Sequence, residues 1–541
     1  MKGYPFSYVN VPRSCESLPY QRENEKMRNI TDKSVKLNRQ LDKLLVEAMK
    51  KDLLVKIGWG REQDEKPREG EIGAITHLPK KSKVLLLGNL GECAGAMNRG
   101  GVFTLQGSAT SMLGAFQNSG KIIVERDVGA KAGYGMKGGS IIIQGSVGNE
   151  AGASMRDGTI VVRGHAGDRL GANMKGGIGI ILGSTGSEPG VGMTGGKLII
   201  AGSCPPPGQG VMMRSIRQKE IEYCEEYLSP LGLSVNEDAL VLETSEKIES
   251  HDNNIGNLAE IIEGFENISL IPDNNKRIPD HKPVDQYTLL LPRNPESEGI
   301  LFPIPWLLEC ETTDEWKGDR SEKQPALVKN KPRPIDFMLI NEGNLVNSTD
   351  NIKECAGIVL DLTSLSDFND AELEAIIVSL TSRMSSSSMV MIRDHVNRVD
   401  ELFRLVIELN LDGAVVDMAI PGGGRAAAAL PIIGMAAKSL DFSKNNRIIM
   451  IEIDETPNIE EILICIASGC NALIGPIPED DIEDDLKDKD LLIKDWMREL
   501  GIDGLEKIGR RNLRANNYDT AAISGLRLVG YNRSLPMWLG N

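Results

Sequence analysis

The chain has 541 residues, of which 40% are hydrophobic, 26% charged and 4% aromatic, and it contains 57 glycines. At roughly 150 residues per domain this length predicts three or four domains, and much glycine with few aromatics favours narrow stacked β-structure. The net charge of −16 argues against a nucleic-acid surface, because phosphate binding needs clustered Lys and Arg. With no apolar run near the roughly 20 residues of a membrane span and no N-terminal apolar secretory segment, we expect a cytoplasmic protein.

The eight cysteines are spread along the chain and include no CxxC pair. This pattern predicts reduced thiols and no disulfide framework. The closest two, Cys465 and Cys470, end a helix-like run and open a strand. We interpret them as core residues, with a pair of cluster ligands as the alternative.

Residues 1–70 are charged and contain one amphipathic run, SVKLNRQLDKLLVEAMKKDLL. Its apolar residues, such as Leu37, Leu41 and Leu45, recur at helical spacing. We predict an N-terminal helical arm that packs on the next domain or on a partner, since the open end of a stacked β-structure must be covered.

Three glycine series with a period of 19 residues dominate the following stretch, roughly residues 84–213. The first two series are Gly95, Gly114, Gly133, Gly152, Gly171 and Gly190, and Gly101, Gly120, Gly139, Gly158, Gly177 and Gly196. The third is Gly107, Gly145, Gly164, Gly183 and Gly202, with Arg126 as its one break. Apolar β-type runs such as SIIIQ and TIVVR lie between the second and third series, and Met or Phe lies between the first and second.

A unit of 19 residues buries no core alone, but stacked units share one. Glycine at fixed corners permits positive φ or close backbone approach. The repeat therefore predicts a right-handed β-helix. The alternative, a phosphate-binding glycine loop repeated six times, has no physical mechanism.

The unit G-x-x-M-x-x-G-x-I-x-V-x-G resembles the GXGXG domain. That domain occurs at the C-terminus of the glutamate synthase large subunit and in one of the subunits of formylmethanofuran dehydrogenase. The resemblance covers roughly residues 70–225 and implies a scaffold without catalytic residues. We assign residues 71–228 to this domain and residues 229–285, rich in Asn, Asp and Glu, to a linker.

From residue 286 to 541, strand-like runs alternate with helix-like runs, beginning with YTLLL. This alternation predicts a parallel α/β fold, and about seven units suit a TIM-barrel-like domain, whole or degenerate. A doubly wound sheet is the alternative. The acidic run PEDDIEDDLKDKD (478–490) is predicted to be a solvated loop, and we predict no metal site.

In a barrel, functional groups project from the C-terminal ends of strands. The candidate cofactor-binding residues there are Gly422, Gly423, Gly424, Arg425, Asp454 and Gly475, and Glu452 also ends a strand. A glycine-rich turn before a helix binds phosphate through free N–H groups. The other interpretation is a tight turn without a cofactor. His395, at a strand end, is either an acid–base group or a structural residue, and catalytic residues stay unassigned.

The run VVDMAIPGGGRAAAALP resembles a phosphate loop of the FMN barrel of glutamate synthase, and roughly residues 335–515 follow that barrel's outline. The resemblance implies FMN at Gly422–Arg425, Asp454 and Gly475. Asp454-Glu455-Thr456 replaces the family's glycine pair, however, and two carboxylates repel a phosphate. No cluster cysteines follow the last strand, so an iron–sulfur cluster is not expected, and Lys2 replaces the nucleophilic cysteine, so neither is amidotransferase activity.

Two hypotheses follow. The first is a component of an FMN-linked amino-nitrogen oxidoreductase acting on glutamate, glutamine or 2-oxoglutarate. The second is a non-catalytic scaffold or regulatory subunit with a cofactor-free barrel. Both imply partner subunits, namely amidotransferase or flavin/iron–sulfur chains, or further copies of this chain.

Overall fold

The computed structural model describes residues 19–59, 66–244, 265–272, 276–292, 298–365, 367–418, 426–478 and 481–531. It begins with helix α1 (Pro19–Lys50), in which Leu37, Leu41 and Leu45 are buried at helical spacing. These side chains share one apolar cluster with Ile75 and the first strands of the β-structure that follows. The helix therefore packs against the beginning of the glycine-rich stack.

A large sheet of mainly parallel strands follows α1. Its strands include β1 (Val55–Ile57), β2 (Arg68–Glu71), β3 (Lys83–Leu90), β4 (Arg99–Gln106), β5 (Ser119–Val124), β6 (Lys137–Ile143), β7 (Asp157–Val162), β8 (Lys175–Ile181) and β9 (Gly195–Ile200). From β3 to β9 each strand pairs in parallel with the next, 19 residues further on, as Ile122 does with Ile141. A second row of parallel bridges takes the same step from Leu90 to Thr185. The handedness of this stack, and with it a right-handed β-helix, stays a prediction.

Buried side chains and close backbone contacts explain the period. Ile122, Ile141 and Ile160, one from each successive unit, are buried in a single cluster. Gly120 has a φ of +93°, and a Cβ there would lie 2.4 Å from the carbonyl oxygen of Gly101. A side chain at this corner would push neighbouring units apart, so the corner requires glycine.

Antiparallel strands end the parallel stack. They are β10 (Val211–Ser215) and β11 (Leu240–Thr244), and helix α2 (Gln218–Leu228) lies between them in sequence. β11 pairs with β9 and β10 pairs with β11. Leu228 of α2 packs on Ile180 and Ile199, which point out of the other face of the sheet. β11 thus lies within residues 229–285 and belongs to the large sheet.

Three short strands precede the second half of the molecule: β12 (Ile268–Leu270), β13 (Thr288–Leu290) and β14 (Ile300–Phe302). Eight parallel strands then form a closed barrel. They are β15 (Trp306–Cys310), β16 (Ala326–Val328), β17 (Phe337–Ile340), β18 (Gly357–Asp361), β19 (Met389–His395), β20 (Gly413–Asp417), β21 (Ile448–Glu452) and β22 (Ala472–Pro476). Pairing of β15 with β22 closes the barrel, so the alternative of a doubly wound sheet is wrong.

Helices cover the outside of the barrel, and a small sheet lies beside it. The helices are α3 (Asp370–Thr381), α4 (Val399–Glu408), α5 (Ala426–Ser439), α6 (Ile459–Ala467) and α7 (Ile482–Leu500). The chain continues as β23 (Leu513–Ala515), α8 (Tyr518–Ser524) and β24 (Arg527–Leu528). β23 pairs with both β12 and β24. Among the described residues, no helix combines the length and apolar character needed to cross a bilayer.

Two sequence predictions for this half are wrong. The run YTLLL is not a barrel strand: it forms β13, which pairs with β14, and Leu290 and Phe302 of this hairpin pack into the barrel core. The acidic run 478–490 is not a loop from residue 482 onwards, where it forms the first half of α7. Asp481 caps this helix, and acidic side chains are favourable near a helix N-terminus.

The glycine-rich stack packs directly on the barrel through α3. Phe116 and Tyr134 of the stack meet Phe368 edge to face, just before α3. Lys131 donates to the Glu372 carboxylate at 3.0 Å, and this carboxylate is buried. Apolar residues of both halves form one continuous cluster, so the halves share a core.

Candidate functional site

Two of the predicted cofactor residues, Asp454 and Gly475, lie at the C-terminal ends of β21 and β22. Gly422, Gly423, Gly424 and Arg425 fall in the segment 419–425, which lies outside the described residues. Asp454 is exposed, two residues after the end of β21. Gly475 is buried within the neighbouring strand β22, so the structure brings Asp454 and Gly475 to one edge of the barrel.

Gly475 is explained by a close contact with the chain itself. A Cβ at this position would lie 2.9 Å from Cδ of Pro457 and 3.0 Å from the carbonyl oxygen of Glu455. The loop after β21 therefore folds directly over Gly475. The Gly475 carbonyl also accepts a bond of 3.4 Å from the indole N–H of buried Trp306. The described contacts give this glycine a packing role.

The most distinctive polar group at the barrel mouth is Arg393, which the sequence analysis did not select. Arg393 lies on β19 and its side chain is 14% exposed. Its Nε and Nη2 donate to both oxygens of Glu452, at 2.6 and 2.7 Å. Nη2 also donates to Asp417 at 2.8 Å, and Nη1 donates to Asp361 at 3.0 Å. One guanidinium thus joins carboxylates from three other strands, and we call these four residues the Arg393 cluster.

Burial decides the electrostatics of the Arg393 cluster. Burial raises the pKa of Glu452 above its ordinary value, although the bonds from Arg393 oppose this shift. Burial alone would lower the pKa of Arg393, but its bonds to Glu452 and the charges of Asp417 and Asp361 raise it. The guanidinium therefore stays charged, and three carboxylates already surround it.

His395 also ends β19, and about a third of its side chain is exposed. Its Nδ1 lies 3.3 Å from Asp417, without hydrogen-bond geometry. The neighbouring Asp394 is turned to the other side and receives the backbone N–H of His395 at 2.8 Å. Burial raises the pKa of Asp394. His395 therefore borders the Arg393 cluster but is not a member of it.

A cavity of about 600 Å³ opens beside the mouth, between α6 and the small sheet. Its lining includes five carboxylates and no Lys, Arg or His among the described residues: Glu266, Asp454, Glu455, Glu460 and Glu461. Burial raises the pKa of Glu461, and the charges of Glu455 and Glu460 add to this effect. The cavity thus concentrates negative charge next to the position where the resemblance places a phosphate.

The described residues at this edge do not fit FMN. A flavin phosphate needs N–H donors or cations, whereas Asp454 and Glu455 bring negative charge and Pro457 fills the space beside Gly475. The charge of Arg393 is already matched by three carboxylates. In the described part of the chain there is also no group of three or more His, Cys, Asp or Glu side chains arranged to hold a metal ion.

Part of the first half of the chain matches a known family model. Residues 73–229, which are less than a third of the chain, match the model of the GXGXG motif. No curated protein matches.

Among solved structures, an oxidized active mutant of (S)-mandelate dehydrogenase is 13% identical, with a TM-score of 0.30. The match covers 46% of this chain and 88% of that one. A mutant of an active chimera of (S)-mandelate dehydrogenase gives 11% identity and a TM-score of 0.29, with the same coverage. These values are too low to carry an argument about function.

Proposed function

We propose that this chain is a glutamate-synthase-related scaffold subunit whose barrel holds no flavin and which assembles with catalytic partner chains. The partners would carry the FMN-linked amino-nitrogen chemistry that the resemblance implies. The GXGXG match over residues 73–229, joined to a closed eight-stranded barrel, supports the relationship. Function depends on the site and not on the fold, and the site is what argues against catalysis on this chain.

The Arg393 cluster is the observation that carries this proposal. Its guanidinium lies among the C-terminal ends of β18 to β21, and three carboxylates of the same chain bind it. A buried ion cluster of this kind is held by several hydrogen bonds, so displacing one member leaves a charge unpaired. An incoming anion would have to break the cluster.

The competing proposal is that FMN binds this chain at Gly422–Arg425. A glycine-rich sequence ahead of α5 suits phosphate binding, and Arg425 would add a cation. This proposal rests on the sequence resemblance.

Titration of the purified full chain with FMN separates the two proposals. We expect no retained flavin after gel filtration and no change in the flavin absorption band at saturating FMN. Saturable binding that is lost in Gly423→Asp, but kept in Gly232→Asp far from the mouth, would overturn the scaffold proposal. A negative titration would be followed by affinity capture with the tagged full chain, in which we expect a flavoprotein partner.

A further inference from the structure

A large cavity in the described part of the molecule lies at the opposite end of the barrel from the Arg393 cluster. It is a groove of about 1200 Å³. One wall is the run Glu298–Ile304, which contains β14. The other wall includes the serines Ser385, Ser387 and Ser388 ahead of β19, together with the inward face of α7. This end of a barrel is ordinarily a structural end, so a groove of this size needs its own explanation.

The groove is lined by β14, whose second edge pairs with no described strand. β14 pairs only with β13 among the described strands. In an antiparallel pair, alternate N–H and C=O groups of each strand point away from the partner strand, and an edge strand can therefore accept another strand. At the end of the run, the buried amide of Gln324 accepts from the Ile304 N–H at 3.2 Å and donates to its carbonyl at 2.9 Å. The Gln324 amide thus bonds the backbone of Ile304 as a neighbouring strand would. No described side chain forms such bonds with the backbone of Gly299–Phe302.

Large apolar side chains stand exposed on the outer face of the hairpin. Leu289 and Leu301 lie directly opposite each other, and they are 49% and 52% exposed. Tyr287 is 52% exposed and lines the groove together with Leu301. Exposed apolar residues grouped at a sheet edge are the mark of an interaction surface, because soluble proteins otherwise protect such edges.

The charge of the groove sets the chemistry of what it can bind. Four lining carboxylates have no ion pair among the described residues: Glu298, Asp319, Glu322 and Glu354. Three lining cations already face acids of this chain: Arg320, Lys353 and Lys494. Lys323 is the one lining cation without a described acidic partner. With Asp490, which pairs with both Arg320 and Lys494, the lining holds five carboxylates against four cations, and this net charge of −1 favours a cationic ligand.

We propose that this groove binds an extended segment of a partner protein, in which apolar and basic side chains alternate, as a strand added to the free edge of β14. Strand addition obtains affinity from backbone hydrogen bonds and specificity from alternate side chains. In such a segment one face would lie on Leu301 and Tyr287, and the other would present Lys or Arg to the carboxylates. The groove lies away from the predicted flavin site, so the FMN titration neither supports nor contradicts strand addition at β14, which goes beyond the scaffold function.

Fluorescence anisotropy with labelled synthetic peptides tests the proposal on the full chain. The probe is an alternating Lys–Val peptide, and the controls are an alternating Glu–Val peptide and a Lys–Val peptide N-methylated at every second residue. We expect saturable binding of the probe, at least about ten-fold weaker binding of either control, and a loss of about ten-fold in Leu301→Lys and in the double variant Glu298→Lys, Glu354→Lys. Leu492→Lys on α7, at an equally exposed leucine that does not line the groove, should bind like the unmodified chain.

Three outcomes would overturn the proposal. They are no saturable binding of the Lys–Val probe, equal binding of the Glu–Val or N-methylated peptide, and binding that survives all groove variants. Circular dichroism and thermal unfolding of each variant show whether a lost signal reflects misfolding. Because Leu301 is half exposed and the carboxylates lie on the surface, we expect these variants to fold.

Discussion

Arg393 shows how a single side chain can organise the end of a barrel. The guanidinium has five N–H donors in a planar fork, which matches the two oxygens of Glu452 and leaves donors for Asp417 and Asp361. A lysine would offer one charge but no fork. The residue therefore fixes the relative positions of four neighbouring strands, β18 to β21.

Replacing Arg393 by methionine should destabilise the protein strongly, because three buried carboxylates would lose their counter-charge. We expect a loss of about 3–5 kcal/mol in the free energy of unfolding, and only partial recovery in Arg393→Lys. Urea unfolding followed by circular dichroism measures both. The matched control is Arg404→Met on α4, whose side chain is 40% exposed and whose ion pairs are at the surface, where losses of about 0–1 kcal/mol are usual. Equal losses at the two positions would contradict the role given to the cluster.

His77 predicts a pH dependence at the contact between the two halves. Its Nδ1 lies 2.7 Å from Oγ1 of Thr349, and its buried Nε2 has no hydrogen-bond partner among the described residues. Burial, with the charge of Arg99, lowers the pKa of His77 to about 3, although Asp350 opposes the shift. The folded protein therefore holds His77 neutral, and the unfolded chain takes up a proton first as the pH falls.

This difference makes the contribution of His77 to stability complete above about pH 6.5 and progressively lost towards pH 3. We expect unfolding free energies to fall by up to about 1.4 kcal/mol per pH unit in that window because of this residue. His77→Asn, which tolerates the φ of +55° at this position, should unfold with a shallower pH slope. Urea titrations at pH 7 and at pH 5 test this, with exposed His281→Asn as the control. Identical slopes for the unmodified protein and His77→Asn would refute it.

At the scale of elements, the sequence predicts the repeated strands of the stack. It does not predict two of the barrel strands or the highly charged first half of α7. The 19-residue period predicted parallel pairing at that step because each unit repeats the same buried and glycine positions. β15 and β16 were not predicted, since β16 has three residues and neither strand shows an alternating pattern. The acidic run predicts a loop because its charge masks helical pairs such as Asp485 with Lys489.

The Arg393 cluster was missed for a different reason. Its members are up to 91 positions apart in sequence, from Asp361 to Glu452, and form no local motif. The available signal was positional: Asp361, Arg393, Asp417 and Glu452 are each the polar residue at or near the end of a strongly apolar strand run. Only Glu452 was singled out from that pattern. Closure of the barrel is what brings the four together.

Asp481 offers a test of the first half of α7, for which the sequence predicts a loop. Its carboxylate accepts the backbone N–H groups of Glu483 and Asp484, at 2.9 and 3.2 Å, and so caps α7. We expect Asp481→Ala to lower the unfolding free energy by about 1 kcal/mol. Asp488→Ala, at an exposed position inside the same helix, should be neutral or slightly stabilising, because alanine has the better helix propensity. Equal effects would mean that the cap does not stabilise the helix.

At the scale of the whole molecule, the stack and the barrel are joined by a shared core. Besides the aromatic group and Lys131, the joint includes Ser379, which donates to Thr76 at 2.9 Å, and Arg383, which donates to the Thr76 carbonyl at 2.6 Å. These contacts all use α3 or the residues next to it. A scaffold needs a joint of this kind, because the stack then holds the barrel in one orientation relative to anything bound on either half.

Gly73 tests whether this joint makes the molecule unfold as one unit. Gly73 has a φ of +54°, and a Cβ there would lie 2.3 Å from the backbone oxygen of Ala375 in α3. Gly73→Ala must therefore move the stack away from α3, whereas Gly70→Ala, with a φ of +79° and open space around it, carries the backbone strain alone. We expect one calorimetric transition for the unmodified protein and for Gly70→Ala, since a large apolar interface couples the halves.

For Gly73→Ala we expect two separated transitions. Fluorescence measured in a Trp59→Phe background should assign the barrel transition, because Trp59 lies in the stack half whereas Trp306, Trp316 and Trp496 lie in the barrel half. Far-ultraviolet circular dichroism reports both halves, so its unfolding curve should depart from the fluorescence curve in Gly73→Ala and coincide with it in Gly70→Ala. A single transition in Gly73→Ala at an unchanged midpoint would show that the halves are coupled elsewhere. Two transitions in the unmodified protein would show that the shared core does not couple them, and that the orientation of the halves must come from a partner.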